Sequence, residues 1–261
     1  MRTSEYRRHA KKCLQNKTLR AFRIPLLAAV VGILSGLASF MLRQYPVGVL
    51  QKLPYQCLAQ STLLVGTVGV LGSLRQGGQA WLLRAAGRKE PSGVQIVYWM
   101  RRGRGLRAAA LFTRILLRKL FWCVFYLAPS AVIFYILLRA EEYGVDTKTM
   151  RIVLLTTGCV SFVCAAAALL VTIQKYALAP ILLARSPHDK TGDVLQSSME
   201  MMEGHTAKLL LLKLSFLPYV FLCAAVIPIA VFLPLYRQSV VCFLRDVLRD
   251  QAKASADAPA Q

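Results

Sequence analysis

Five apolar runs without a single Asp or Glu, at 24–42, 57–74, 120–138, 152–173 and 214–236, constrain this chain more than any other feature. A helix needs about 17–25 apolar residues to cross roughly 30 Å of hydrocarbon, and each run has that length. Unpaired peptide groups in lipid cost several kcal/mol each, whereas a continuous helix satisfies them internally. The runs therefore predict an all-α fold: a polytopic transmembrane helical bundle of five or six spans, with amphipathic interfacial helices. Composition agrees, because 56% of the 261 residues are apolar and 17% are charged, against about 45–50% and about 25% in soluble domains.

The chain carries 33 basic and 12 acidic residues, a formal charge of +21. The N-terminal segment holds eight Lys and Arg, the successive loops hold two, eleven, three and five, and the C-terminal segment holds four. Under the positive-inside rule this alternation places the N-terminus and the second and fourth loops in the cytoplasm. The tail is open: five spans put it outside, whereas Arg237, Arg245 and Arg249 favour the inside. A sixth crossing, or a last span folded back at its prolines, would satisfy them. RRGRG at 101–105 occurs once, within an amphipathic pattern and without a recognition module, so nucleic acid is not an expected partner. The first run exceeds the 7–15-residue core of a cleaved signal peptide and reads as a retained span.

Residues 1–23 read as a basic amphipathic helix lying on the membrane, with Ser4 as its cap and Tyr6, Ala10 and Leu14 on its apolar side. Residues 24–248 then form a single transmembrane domain, and 249–261 a disordered C-terminal tail. Gly32 and Gly36, with Gly66, Gly69 and Gly72, offer close approach between the first two spans or to a partner chain. The second loop, 75–119, is broken at Gly77, Gly78, Gly87, Pro91 and Gly93 and then resumes a helical pattern expected to bend into the third span. Arg101, Arg102, Arg104, Arg107, Arg114 and Arg118 are its candidate contacts to anionic lipid or a partner protein, each worth about 1 kcal/mol near an anionic surface. The plainer reading of the same arginines is a topology signal.

No acid or histidine lies within the apolar runs, and no HExxH, P-loop, GxSxG or paired-carboxylate pattern occurs. Catalysis, a cofactor and a metal are accordingly not expected. Cysteines 123, 159, 164 and 223 fall inside spans and read as small hydrophobes, with no CxxC pair anywhere. Ser198, Gly204, His205 and Lys208 mark a helix elbow. Asp193 and Gln196 resemble a capping box, Val194, Leu195, Ser198, Met199 and Met202 form one packing face, and Gly204 suits a left-handed cap. Lys213 then snorkels from the edge of the last run. Glu200, Glu203 and His205 lack the i, i+4 spacing that would put two metal ligands on one helix face. Pro218, Pro228 and Pro234 are expected kinks in the last span, and they support the alternative reading of a transporter or permease subunit, since broken helices line sites in some transporters.

KYALAPILLARSP at 175–187, SMEMMEGHTAK at 198–208, LKLSF at 212–216 and PLYRQSVVCFLRDVL at 234–248 follow one another in an order and spacing that resembles a bacterial integral membrane family, domain of unknown function 975. The opening RTSEYRRHAKKCLQNK, at 2–17, resembles the same family. Members carry a proline–glycine break shortly before the tyrosine-containing helix, and here the stretch LLVTIQKY at 169–176 has neither residue. The resemblance implies a multi-span bacterial membrane protein and brings no activity or catalytic residue. The expectation is a non-enzymatic component of the cytoplasmic membrane whose basic cytoplasmic face engages anionic lipid, a membrane-protein partner or a second copy of itself.

Overall fold

The computed structural model describes residues 3–14, 17–44, 53–87, 98–99, 103–139, 148–222 and 226–257. Its helices are α1 (Thr3–Leu14), α2 (Thr18–Gln44), α3 (Leu53–Ala86), α4 (Arg104–Leu138), α5 (Lys148–Gln174), α6 (Ala179–Arg185), α7 (Thr191–Met201), α8 (Thr206–Leu214), α9 (Leu217–Leu222) and α10 (Val226–Asp257). No strand occurs among the described residues. Four stretches are long and apolar enough to cross a membrane: Arg20–Leu42, Pro54–Ala86, Arg104–Leu138 and Lys148–Arg185. Only 6–17% of their apolar windows is buried, so most of that surface faces outward as lipid-facing helices require.

α3 and α4 have 34 and 35 residues. At 1.5 Å per residue each is about 50 Å long, well beyond the hydrocarbon thickness, so their ends project from it. These projecting ends account for much of the expected second loop. Gly77 and Gly78 do not break the chain but lie inside α3. A Cβ at Gly78 would sit 2.7 Å from Ile24 Cγ2, so the missing side chain lets α2 press against α3. We expect Gly78→Leu to force these helices apart at a cost of about 1–3 kcal/mol, the usual penalty of overpacking, read by thermal unfolding in detergent. The expected bend into the third span is also absent, because α4 runs unbroken from Gly103, whose φ of 70° starts the helix.

The small residues divide unequally. Gly72 packs against α4, with Ala109 Cα 3.0 Å from the position of a Cβ, whereas Gly32, Gly36, Gly66 and Gly69 meet nothing within 4 Å among the described residues. A hydroxyl pair, Ser35 with Thr67 at 2.7 Å, joins α2 to α3 instead.

Beyond the spans, α1, α6, α7, α8 and α10 pack with the near ends of α2, α3 and α4 into a headpiece that contains the buried core. α1 shows the expected stripe of Tyr6, Ala10 and Leu14, but protein rather than membrane covers it. Tyr6 meets Phe243 of α10 edge to face at 5.4 Å, because α10 offers Phe243, Leu244 and Val247 as a matching apolar face. α1 begins at Thr3, which places Ser4 in its first turn and not at its cap. α10 continues through Asp257, so residues 249–257, expected to be disordered, are helical. Their Arg, Gln, Lys and Ala are strong helix formers.

The fifth run does not form a straight span among the described residues. Phe216 lies 5.7 Å from Phe232 and 5.4 Å from Tyr236, and Tyr219 stacks on Phe232 at 5.9 Å. A straight helix would separate positions 216 and 236 by about 30 Å, so this segment doubles back. Pro218 occupies the first turn of α9, where the absent N–H has no intrahelical bond to lose, and Pro228 lies within α10 two residues after Val226. Pro234 lies inside α10. With four long helices and a returning segment, α1 and α10 meet at the same end of the molecule.

α5 stops at Gln174 although no proline–glycine pair is present. The Lys175 carbonyl accepts a 2.9 Å bond from the Ser198 hydroxyl, and Pro180 then opens α6. A buried hydroxyl from a distant helix thus takes over a carbonyl that the helix leaves free.

Candidate functional site

Four basic residues sit where apolar runs meet their flanks: Arg75 in α3, Lys119 in α4, Lys213 near the end of α8 and Arg237 in α10. Folding brings all four to the wall of one cavity of about 300 Å³. Gln79, Tyr176 and Tyr236 add polar groups, aliphatic side chains complete the wall, and among the described residues no Asp or Glu lines it. Burying like charges together is costly without an opposite charge. The arrangement is therefore chemically complementary to an anion, and the apolar lining suits the adjoining carbon of an amphiphile.

The supports of this site are themselves buried and bonded. Lys213 Nζ donates to Gln174 Oε1, and Gln174 Nε2 donates to the Leu170 carbonyl at 3.0 Å. Gln76 Nε2 donates to the Pro180 carbonyl at 2.6 Å, fixing α6 to α3 one position from Arg75. The Tyr176 hydroxyl accepts from Trp122 Nε1 at 3.0 Å, which orients a lining ring. Burial, followed by the charges of Lys119 and Arg75, lowers Lys213 to about 8. Burial and then Arg75 also push Arg237 down, partly opposed by Tyr236.

The lysine gives a pH prediction. An anion in the cavity favours protonated Lys213, so affinity should be full below pH 8 and decline above it. In the ligand-free protein the sign reverses: the unfolded chain binds more protons between about 8 and 10.5, so the Lys213 contribution to stability grows with pH across that window. Titrating an anionic lipid on either side of pH 8 checks the first statement, and Lys213→Gln should flatten the profile.

The arginines singled out in the sequence lie elsewhere. Arg101 and Arg102 fall outside the described residues. Arg104 stacks over Tyr98 at 4.1 Å, Arg107 Nη1 donates to the Pro187 carbonyl at 2.8 Å, and Arg118 Nη1 reaches Met199 Sδ at 3.4 Å. Arg114 borders Gly192. Arg107 and Arg114 meet the segment leading into α7 and its first turn, whereas Arg118 lies 5.8 Å over the Tyr176 ring that lines the cavity among α3, α4, α6, α8 and α10.

The elbow is a reversal between α7 and α8. Gly204 has φ +75°, in the left-handed region that favours glycine, and His205 occupies the cap position of α8. Ser198 and Met202 are fully buried. α7 begins at Thr191, two residues before Asp193, and no side chain caps it. Asp193 instead lies in the positive first turn, and Gln196 Nε2 donates to Glu200 Oε1 at 3.0 Å, so no capping box forms. His205 and Lys208 face a separate hollow of about 480 Å³, shared with Asp246 and Asp250 of α10.

The family described as "Protein of unknown function (DUF975)" matches residues 1–250. The chain belongs to the DUF975 family. No curated protein and no solved structure matches it. In this DUF975 chain the segments that carry the resemblance also build the cavity: 175–187 supplies Tyr176 and Pro180, 212–216 supplies Lys213, and 234–248 supplies Tyr236 and Arg237. Sequence reasoning treated Lys213 as a snorkelling side chain and Arg75, Lys119 and Arg237 as topology charges. Their coincidence with the ends of the runs was the available signal.

Proposed function

We propose that this DUF975 protein is a non-enzymatic protein of the bacterial cytoplasmic membrane that holds the anionic headgroup of a lipid in the cavity formed by Arg75, Lys119, Lys213 and Arg237. The observation that carries this reading is the convergence of four cations on a partly apolar cavity that no carboxylate lines among the described residues. In this reading the headpiece, the N-terminus and the C-terminal helix lie on the cytoplasmic side, consistent with the Lys/Arg alternation along the chain. The arginine stripe on α4 then holds the headpiece together beside the site and adds attraction to the anionic leaflet.

Thermal unfolding in detergent tests the proposal. A ligand at about 100 times its Kd stabilises by about 2.7 kcal/mol. Short-chain phosphatidylglycerol is expected to raise the melting temperature, phosphatidylcholine to leave it unchanged, and inorganic phosphate to act weakly because it lacks the apolar part. Equal stabilisation by phosphatidylcholine would contradict the reading.

A second reading, a transporter or permease subunit for an amphiphilic anion, draws on one observation. Lys213 and Arg237 flank the run 214–236 and both line the cavity, which supports this reading. Uptake of a labelled anionic amphiphile into proteoliposomes, lost when Pro228→Ala alters the start of α10, would favour transport.

A further inference from the structure

At the other face of α10, three metal-ligating side chains meet: His9 and Cys13 of α1 and Cys242 of α10. His9 Nδ1 lies 3.5 Å from Cys13 Sγ and 3.8 Å from Cys242 Sγ, and all three donor atoms fall within 4.8 Å of one another. In a tetrahedral site with Zn–N of about 2.0–2.1 Å and Zn–S of about 2.3 Å, neighbouring donors are separated by about 3.6–3.8 Å. Both nitrogen–sulfur pairs thus already stand at nearly the spacing a bound ion imposes, and the two sulfurs lie within 4.8 Å of each other. We propose that His9, Cys13 and Cys242 form a zinc site that fastens the N-terminal helix to the C-terminal helix.

The donor set selects the ion. Two thiolates and an imidazole favour a thiophilic cation over magnesium or calcium, which take oxygen ligands. When Zn²⁺ binds, each thiol releases its proton to solvent, and two thiolates balance the charge of the ion. The resulting unit is neutral, which suits a site containing the buried Cys242.

An independent observation lies one helical turn away. Gln238 is fully buried, and its Oε1 has no hydrogen-bond partner among the described residues. The same amide places Nε2 3.9 Å from Cys242 Sγ and 3.3 Å from the Leu82 carbonyl. A buried amide whose oxygen is unpartnered among the described residues therefore lies against Cys242, one turn along the helix that carries this ligand.

No metal motif is legible along the chain, because Cys242 is 233 residues from His9. The local half of the site, HAKKC, has the i, i+4 spacing that puts His9 and Cys13 on one helix face. The other half arrives only when α10 packs on α1.

The test uses the full chain, purified under reducing conditions, stripped with chelator and titrated with Zn²⁺ alone and Co²⁺ alone. One equivalent of zinc should be retained after dialysis, and Co²⁺ should show thiolate charge-transfer absorption in the unsubstituted protein, a readout that needs no variant. Cys13→Ser, Cys242→Ser and His9→Gln should each weaken zinc binding by more than about 100-fold, beyond the usual effect of an outer-sphere change. Cys57→Ser, at an exposed position on α3, should leave binding unchanged. The proposal is overturned if unsubstituted protein retains no more zinc than the Cys13→Ser and Cys242→Ser double variant, or if cobalt binds without thiolate absorption. A Cys13–Cys242 disulfide in freshly isolated protein would also overturn it.

Discussion

Replacing Lys213 and Arg237 together with glutamine is expected to weaken binding of an anionic lipid by about 100-fold or more. A hydrogen bond to a charged group contributes about 1.5–3 kcal/mol, and each 1.4 kcal/mol is a factor of ten. Two such contacts therefore account for at least two powers of ten. Both side chains line the cavity from opposite ends of the returning segment. Titration of phosphatidylglycerol into detergent-solubilised protein, followed by tryptophan fluorescence, measures the effect. The matched control is Arg104→Gln with Arg107→Gln. These residues contact Tyr98 and the Pro187 carbonyl outside the cavity, so affinity should change only a few-fold. An equal loss in the control would move the binding surface from the cavity to the arginine stripe.

The second large effect concerns stability. Trp81→Ala is expected to destabilise the protein by about 3–5 kcal/mol, the usual cost of truncating a buried aromatic side chain. Trp81 is 2% exposed and belongs to the core shared by α1, α3, α6, α8 and α10. Leu34→Ala, at a position 60% exposed on α2, should change stability by no more than about 0.5 kcal/mol. Denaturant or thermal unfolding in one detergent compares the two. Similar losses would mean that the spans and the headpiece share one packed core, contrary to the low burial of the spans.

The all-α spanning architecture was legible because hydropathy acts locally: four of the five apolar runs lie within helices long enough to cross. The turn after α7 follows equally local signals, since Gly204 takes φ +75° and Leu195, Ser198 and Met202 are buried over neighbouring turns. The fifth run left open a straight crossing or a fold back at its prolines, because its composition suits lipid while its course is set by contacts between distant rings, Phe216 with Phe232 and Tyr236. α1 misled for a related reason. Its apolar stripe was correct, but the surface it meets, Phe243 of α10, lies more than two hundred residues away. The cavity was illegible for the strongest form of this reason. Arg75, Lys119, Lys213 and Arg237 each look like an ordinary boundary charge, and only the packing of four helices reveals that they share a wall.

That shared wall is the central claim, and native mass spectrometry of the gently solubilised chain tests it most directly. Unsubstituted protein should retain one anionic lipid per chain through detergent removal in the gas phase. A variant combining Arg75→Gln, Lys119→Gln, Lys213→Gln and Arg237→Gln should emerge without it. Retention of the same lipid by that variant, or its absence from the unsubstituted protein purified from lipid-replete membranes, would contradict the account.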